Sequence, residues 1–249
     1  IKLLIFMFVE GYLFSSNLWY IRTITPLSSI VSAIDDKGTR KNIKNKKMIK
    51  DFLIINCTGK NNSIALKVDN KFFFKKLQTN LTKNEMLALD VLSFFKEKNA
   101  KIDNKLSILV NSGPGSFSGI RVSLSVAKGI QLVNNTNIYS YNNFLLFAAP
   151  YLAEKKNIFT IQKTNNFYYF CRGTFEIKYR FTDPEKIYSS ILKTTKYLFI
   201  IPKGIKNDEI IKNLNPKKIR IVEFNLRNID LLIENKLVQN KFLKPLYLS

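Results

Sequence analysis

Residues 111–121 read NSGPGSFSGIR, and this stretch constrains the fold more than any other. The apolar run ILV leads into it, and the helix-spaced run IRVSLSVAKGIQLV leads out. Three of the chain's nine glycines stand here, at 113, 115 and 119. A buried strand that turns on glycines directly into a helix is a unit of an α/β fold, since the helix carries the chain back over the sheet. The same geometry has a chemical reading. Free backbone N–H groups at a helix start attract anions, and Ser116, Ser118 and Arg121 would add donors. Two phosphate motifs fail on spacing. Gly113, Gly115 and Gly119 give G-x-G-x-x-x-G rather than the dinucleotide fingerprint, and Gly119 is followed by Ile120 and Arg121 where a P-loop needs lysine and a hydroxyl residue. The alternative is a tight connector in which Gly113 and Gly115 take dihedrals closed to other residues, Pro114 stiffens them and Ser118 caps the helix. Spacing alone leaves both readings open.

The rest of the chain extends the α/β pattern. Phe52–Asn56 reads as a short apolar strand, with a hairpin of Ser63–Val68 and Lys71–Leu77 around Asp69-Asn70. Thr82 and Glu85 form a capping box for a helix running to about Lys98. Leu106–Val110 is a strand, Ile120–Val133 a helix, Ile138–Ser140 a strand, and Asn142 or Asn143 caps a helix containing Phe144, Leu145 and Phe147. The second half repeats the scheme. Strands are expected at Asn157–Gln162, Asn166–Cys171, Thr174–Arg180, Tyr197–Ile201 and Ile219–Val222. Helices are expected after Asp183-Pro184, near Asn207–Leu214 and over about Arg227–Leu237. Residues 1–47 lack a sustained period and end in DDKGTRKNIKNKK, so they are expected to be an extension outside the fold, which starts near Met48. Residues 48–148 and 149–249 then form two similar subdomains in tandem.

Composition excludes several chemistries. There is no histidine, which removes histidine bases, triads and His-ligated metals. Two cysteines, Cys57 and Cys171, make no disulfide framework and read as buried hydrophobes. No apolar stretch reaches the roughly 20 residues of a membrane span, so a soluble, cytoplasmic protein is expected. The formal charge of +22 suits a nucleic-acid partner, yet arginine supplies only 7 of the 40 cations. Abundant lysine, asparagine and isoleucine are what an AT-rich genome encodes, and this accounts for much of the charge.

GPGSFSGIRVSLSVAKGI, Gly113–Ile130, resembles the GPGSFTGLRIGLAxAKGLA motif of the TsaB family, bacterial proteins of tRNA threonylcarbamoyladenosine biosynthesis. FLIINCTGKNNSIAL is similar to that family's opening ILAIDTSTxxxSVAL, NNFLLFA to its STLEALA, and the final LKPLYLS to its PxYLR ending. The resemblance is good over Phe52–Ala148 and at Pro245–Leu248, and weak between. It implies the actin-like fold of the sugar kinase and heat-shock ATPase superfamily, built from two ribonuclease-H-like subdomains. It also implies a non-catalytic role. TsaB pairs with TsaD, which modifies adenosine 37 of tRNAs reading ANN codons and carries a metal-binding histidine pair that this chain lacks. The ATPase TsaE joins that assembly, tRNA is met indirectly through the complex, and the same surface would pair with itself when TsaD is absent. Two departures fit a role without chemistry: Asn56 stands where the family has aspartate, and the family's histidine near Asn84 is missing. An amide lacks the charge to hold Mg²⁺ closely, so no cofactor beyond weak nucleotide binding is expected.

The two helices around this motif are apolar on more than one side. Either the chain's own core covers both faces, or one face meets another chain. The resemblance favours the second, with Leu87, Val91, Phe94, Ser123, Val126, Ala127 and Ile130 as the contact set. Two rivals differ in class. A divergent ATP-dependent phosphotransferase or hydrolase would need a carboxylate near the strand ends, and a tRNA-binding module would act through charge.

Overall fold

In the computed structural model, the described residues are 49–240 except 60, 78–83, 155–156, 165–166, 173–175, 182–196 and 213. The capping box at Thr82, the helix after Asp183 and the ending LKPLYLS lie outside them, as do residues 1–47.

The chain starts with β1 (Phe52–Asn56), β2 (Ser63–Val68) and β3 (Lys71–Lys76), followed by α1 (Asn84–Glu97), β4 (Ser107–Asn111), α2 (Phe117–Asn134), β5 (Asn137–Tyr141) and α3 (Asn143–Ala148). A 3-10 segment, Ala149–Glu154, leads to β6 (Asn157–Thr164), β7 (Phe167–Arg172), β8 (Glu176–Phe181) and β9 (Tyr197–Pro202). Then come α4 (Glu209–Lys212), β10 (Ile219–Val222) and α5 (Ile229–Glu234). Two five-stranded sheets result, ordered β3-β2-β1-β4-β5 and β10-β9-β6-β7-β8. Read from β8, the second order repeats the first. In each, the first strand pairs antiparallel with the second and parallel with the fourth. This is the duplicated ribonuclease-H-like topology expected from the sequence.

Burial explains the strand compositions. β1 is FLIIN because both of its faces are covered, which removes the alternation of a half-exposed strand. Leu53 and Ile55 face the helices α1 and α2, among Leu87, Val91, Phe94 and Val122. Phe52 and Ile54 face the other way, onto Leu145, Leu226, Ile229 and Leu232. Residues 226–232, assigned from the sequence to the second subdomain, thus pack on the first sheet. Helix α3 is buried along its whole length because it lies between the sheets. Phe147 and Ala148 meet Ile158, Leu198 and Ile200 of the second sheet. The β2–β3 hairpin closes through Asp69 (φ 50°) and Asn70 (φ 62°), a left-handed pair that Asp and Asn tolerate and that matches strand twist.

Helix α2 starts three residues before its expected start. Ser116, not Ser118, is its cap: Gly119 N donates to Ser116 Oγ at 3.3 Å. The backbone decides this, since Ser116 N donates to Thr58 O at 2.8 Å and holds the cap residue against the end of β1. Ser118 sits in the first turn, exposed, with its Oγ 3.2 Å from that of Ser116. Asn142 caps α3, receiving a 2.8 Å bond from Leu145 N. No helix among the described residues is long and apolar enough to cross a membrane.

Candidate functional site

Three strands of the first sheet end on asparagine or run directly into one: FLIIN at Asn56, SILVN at Asn111 and NIYSYNN at Asn143. The parallel pairing of β1, β4 and β5 brings these ends together. Asn111 is fully buried, and its Nδ2 donates to Asn56 Oδ1 at 2.8 Å and to Asn143 Oδ1 at 2.7 Å. Its Oδ1 accepts from Gly113 N at 2.9 Å. The outer amides are anchored too. Asn56 Nδ2 donates to Asn61 O at 2.7 Å, and Asn143 Nδ2 donates to Pro114 O at 2.8 Å. Thr58 Oγ1 adds a 3.0 Å bond to Asn56 Oδ1. Every amide of the trio is therefore bonded on both of its ends, and the cluster is neutral.

The glycine turn is built around this cluster. Asn143 N donates to Gly113 O at 2.8 Å, tying the turn to the start of α3. Gly113 takes φ 108°, a backbone that side chains resist, next to a cis bond to Pro114. Gly115 and Gly119 are small for a different reason. A Cβ on Gly115 would stand 2.1 Å from Thr58 O, and one on Gly119 only 1.9 Å from Cys57 O. The start of α2 thus lies directly on the backbone that follows β1. Of the expected anion donors, Ser116 is spent on the cap. The Arg121 guanidinium lies 3.7 Å over the ring of Phe117, on the exposed side of α2.

Among the described residues, no three His, Cys, Asp or Glu side chains come together to hold a metal. Three amides whose donors and acceptors bond each other and nearby backbone offer no charge to a divalent cation or a nucleotide's metal. Burial pushes the Cys57 thiol up to about 11, more than the neighbouring Ser123 lowers it, which favours the protonated thiol at neutral pH. Asn111 was not among the residues singled out from the sequence, and Asn143 was named only as a possible helix cap. The signal was present all the same, as an asparagine closing or following each apolar strand.

The expected contact residues lie mostly inside the fold. Leu87, Val91, Phe94, Ser123 and Ala127 are buried within the chain, and all but Ser123 belong to its own core cluster. Val126 and Ile130 are half-buried and lean on the same cluster. The apolar side chains that α1 and α2 do present outward are Met86, Leu89 and Leu92, with Phe117, Leu132 and Val133. Leu89 and Leu132 are 62% and 64% exposed, high values for leucines on packed helices. Gly129 lies between Ser125 and Leu132 on α2, and a Cβ there would meet nothing within 4 Å.

No family model matches the chain. It is 28% identical to the tRNA threonylcarbamoyladenosine biosynthesis protein TsaB of Buchnera aphidicola subsp. Baizongia pistaciae (strain Bp), over 81% of this chain and 99% of that protein. Two solved structures from Pseudomonas aeruginosa are similar in fold at 13% identity. An uncharacterized protein with similarity to peptidase YeaZ has a TM-score of 0.58, and YeaZ has 0.56. They cover 81% and 80% of this chain and all of their own length. The expected actin-like α/β fold is the fold observed.

Proposed function

We infer that this chain, a homologue of TsaB over most of its length, serves tRNA threonylcarbamoyladenosine biosynthesis as a non-catalytic subunit. It acts in the cytoplasm by binding and activating a TsaD-like transferase that modifies adenosine 37 of tRNAs reading ANN codons. A TsaE-like ATPase joins the complex. The neutral asparagine trio is the observation that supports this reading most. A phosphotransferase or hydrolase of this fold needs carboxylates where the strands end, and here amides bond each other instead. The trio and the glycines then serve to fix the start of α2 against β1.

What is fixed in this way is a face. Helices α1 and α2 lie side by side over one side of the sheet, and their outward surfaces carry Met86, Leu89, Leu92, Leu132 and Val133. Exposed apolar side chains gathered on the outer side of packed helices are the kind of surface that meets another protein. Around Ser125 and Gly129 the surface is low enough for a partner helix to approach closely.

Gly129→Trp tests this surface without touching the core, unlike a change at Ala127, which has no exposed surface. The full chain is mixed with the TsaD-like protein of the same source and followed by size-exclusion chromatography with light scattering. A one-to-one complex is expected for the natural chain. The variant is expected to bind at least about thirtyfold more weakly, the consequence of losing a 2 kcal/mol contact. Unchanged affinity would move the partner to another face.

A further inference from the structure

A second surface carries an observation of another kind. Strand β3, KFFFKK, is the edge of the first sheet. Together with the turn at 224–227 it forms an open cleft of about 250 Å³ lined by Phe72, Phe74, Phe224, Asn225, Leu226 and Arg227. That is below the roughly 300–1,000 Å³ of an enclosed small-molecule site, and admits about one planar ring from a larger partner. Phe74 is 57% exposed at the edge of the sheet. Arg227 holds its guanidinium 4.8 Å over the ring of Phe72. Lys76 shares the Phe72 and Phe74 face of the strand by alternation.

The charges at this cleft are one-sided. The adjacent carboxylates are already engaged: Asp230 pairs with Lys67 at 2.7 Å, and Glu223 pairs with Lys203. Among the described residues, Arg227 and Lys76 have no acidic partner. Codon bias toward lysine does not explain the Arg227–Phe72 stack, because arginine is scarce in this chain. A peptide adding to the sheet edge is disfavoured by three lysines in six residues, which guard an edge against strand pairing. An exposed ring beside cations that lack an acidic partner among the described residues is the arrangement that receives an unpaired base and its phosphate.

We propose that the β3 cleft binds an unpaired nucleotide of RNA directly, with the base stacked on Phe74 and the phosphate met by Arg227 and Lys76. The contact rests on this geometry and adds a direct RNA surface to a chain otherwise expected to meet tRNA only through its partner. It is tested with the full chain alone and a fluorescein-labelled single-stranded RNA decamer, followed by anisotropy. Heparin serves as a polyanion without bases. Phe74→Ala is expected to weaken RNA binding on the order of tenfold while leaving heparin binding unchanged. Arg227→Gln is expected to lower the salt slope of RNA binding by about one. Equal losses for RNA and heparin, or no loss, would overturn the proposal. So would a loss confined to TsaD-like partner binding, which would make the cleft a protein contact. None of these outcomes bears on the α1–α2 face, which the chromatography tests separately.

Discussion

Gly119→Ala is expected to destabilise the fold by about 3 kcal/mol, while Gly129→Ala, ten residues along the same helix, stabilises it by about 0.5–1 kcal/mol. Both positions lie inside α2, so intrinsic propensity favours alanine at each by up to about 1 kcal/mol. Packing separates them. At 129 the added methyl enters open space, and only propensity and unfolded-chain entropy act. At 119 it would sit 1.9 Å from the carbonyl oxygen of Cys57. No side chain can rotate aside, because the obstacle is backbone.

Movement of α2 is opposed as well. Ser116 N bonds Thr58 O, Ser116 Oγ receives Gly119 N, and Ser123 Oγ donates to Gly119 O at 2.9 Å. Overpacking a fixed site costs about 1–3 kcal/mol or more, and here it must first cancel the helix gain. Urea unfolding followed by circular dichroism reads both variants, with the midpoint shifting and the slope unchanged. Equal stability of the two variants would mean that α2 does not rest on the end of β1. The glycines would then need another explanation, such as close approach of a ligand.

The same comparison shows what the sequence makes legible. Alternation, apolar runs and turn residues place the described strands to within about two residues, because those signals are local. The duplicated order of the sheets follows from a repeated strand-strand-strand-helix scheme. The outward face of α1 and α2 was not legible in the same way. Leu87, Val91 and Phe94 carry the same apolar character as Met86, Leu89 and Leu92, and periodicity alone does not say which stripe faces the sheet. Likewise, GPGSFSG shows that glycines are needed but not by what. The obstacle is the backbone at Cys57 and Thr58, far earlier in the chain, and only the assembled sheet puts it there. The cap moved from Ser118 to Ser116 for the same reason, a tertiary hydrogen bond to Thr58.

Asn111→Asp is expected to have an effect at least as large, and one that depends on pH. In the native trio Nδ2 of Asn111 donates to two acceptors, 2.8 Å and 2.7 Å away. A carboxylate would face both oxygens at those distances without a proton. Flipping the neighbouring amides gives no relief, since Asn56 Nδ2 and Asn143 Nδ2 are engaged by Asn61 O and Pro114 O. An unpaired charge at a site with no exposure costs about 3–5 kcal/mol, a large share of the roughly 5–15 kcal/mol that holds a domain folded.

The sign with pH follows from that burial. The introduced carboxyl titrates higher when folded than its ordinary value near 3.9, so the variant's deficit relative to the natural chain is smallest below about pH 4. A protonated carboxyl returns one donor. The deficit then grows as pH rises and levels off above the folded-state value. Asn111→Ala, which leaves Asn143 Oδ1 and Gly113 N–H without these bonds and Asn56 Oδ1 with only that from Thr58, should show a deficit of about 2–4 kcal/mol that does not change with pH. Urea unfolding of both variants and the natural chain at pH 4, 5, 6 and 7 separates the two patterns. A flat profile for Asn111→Asp would mean that water reaches the strand ends. Adding millimolar Mg²⁺ to that variant decides the remaining question about chemistry. The amide trio supplies no second carboxylate, so Mg²⁺ should not restore stability. Restoration would show a latent cation site at the strand ends, and the phosphotransferase reading would then displace the scaffold.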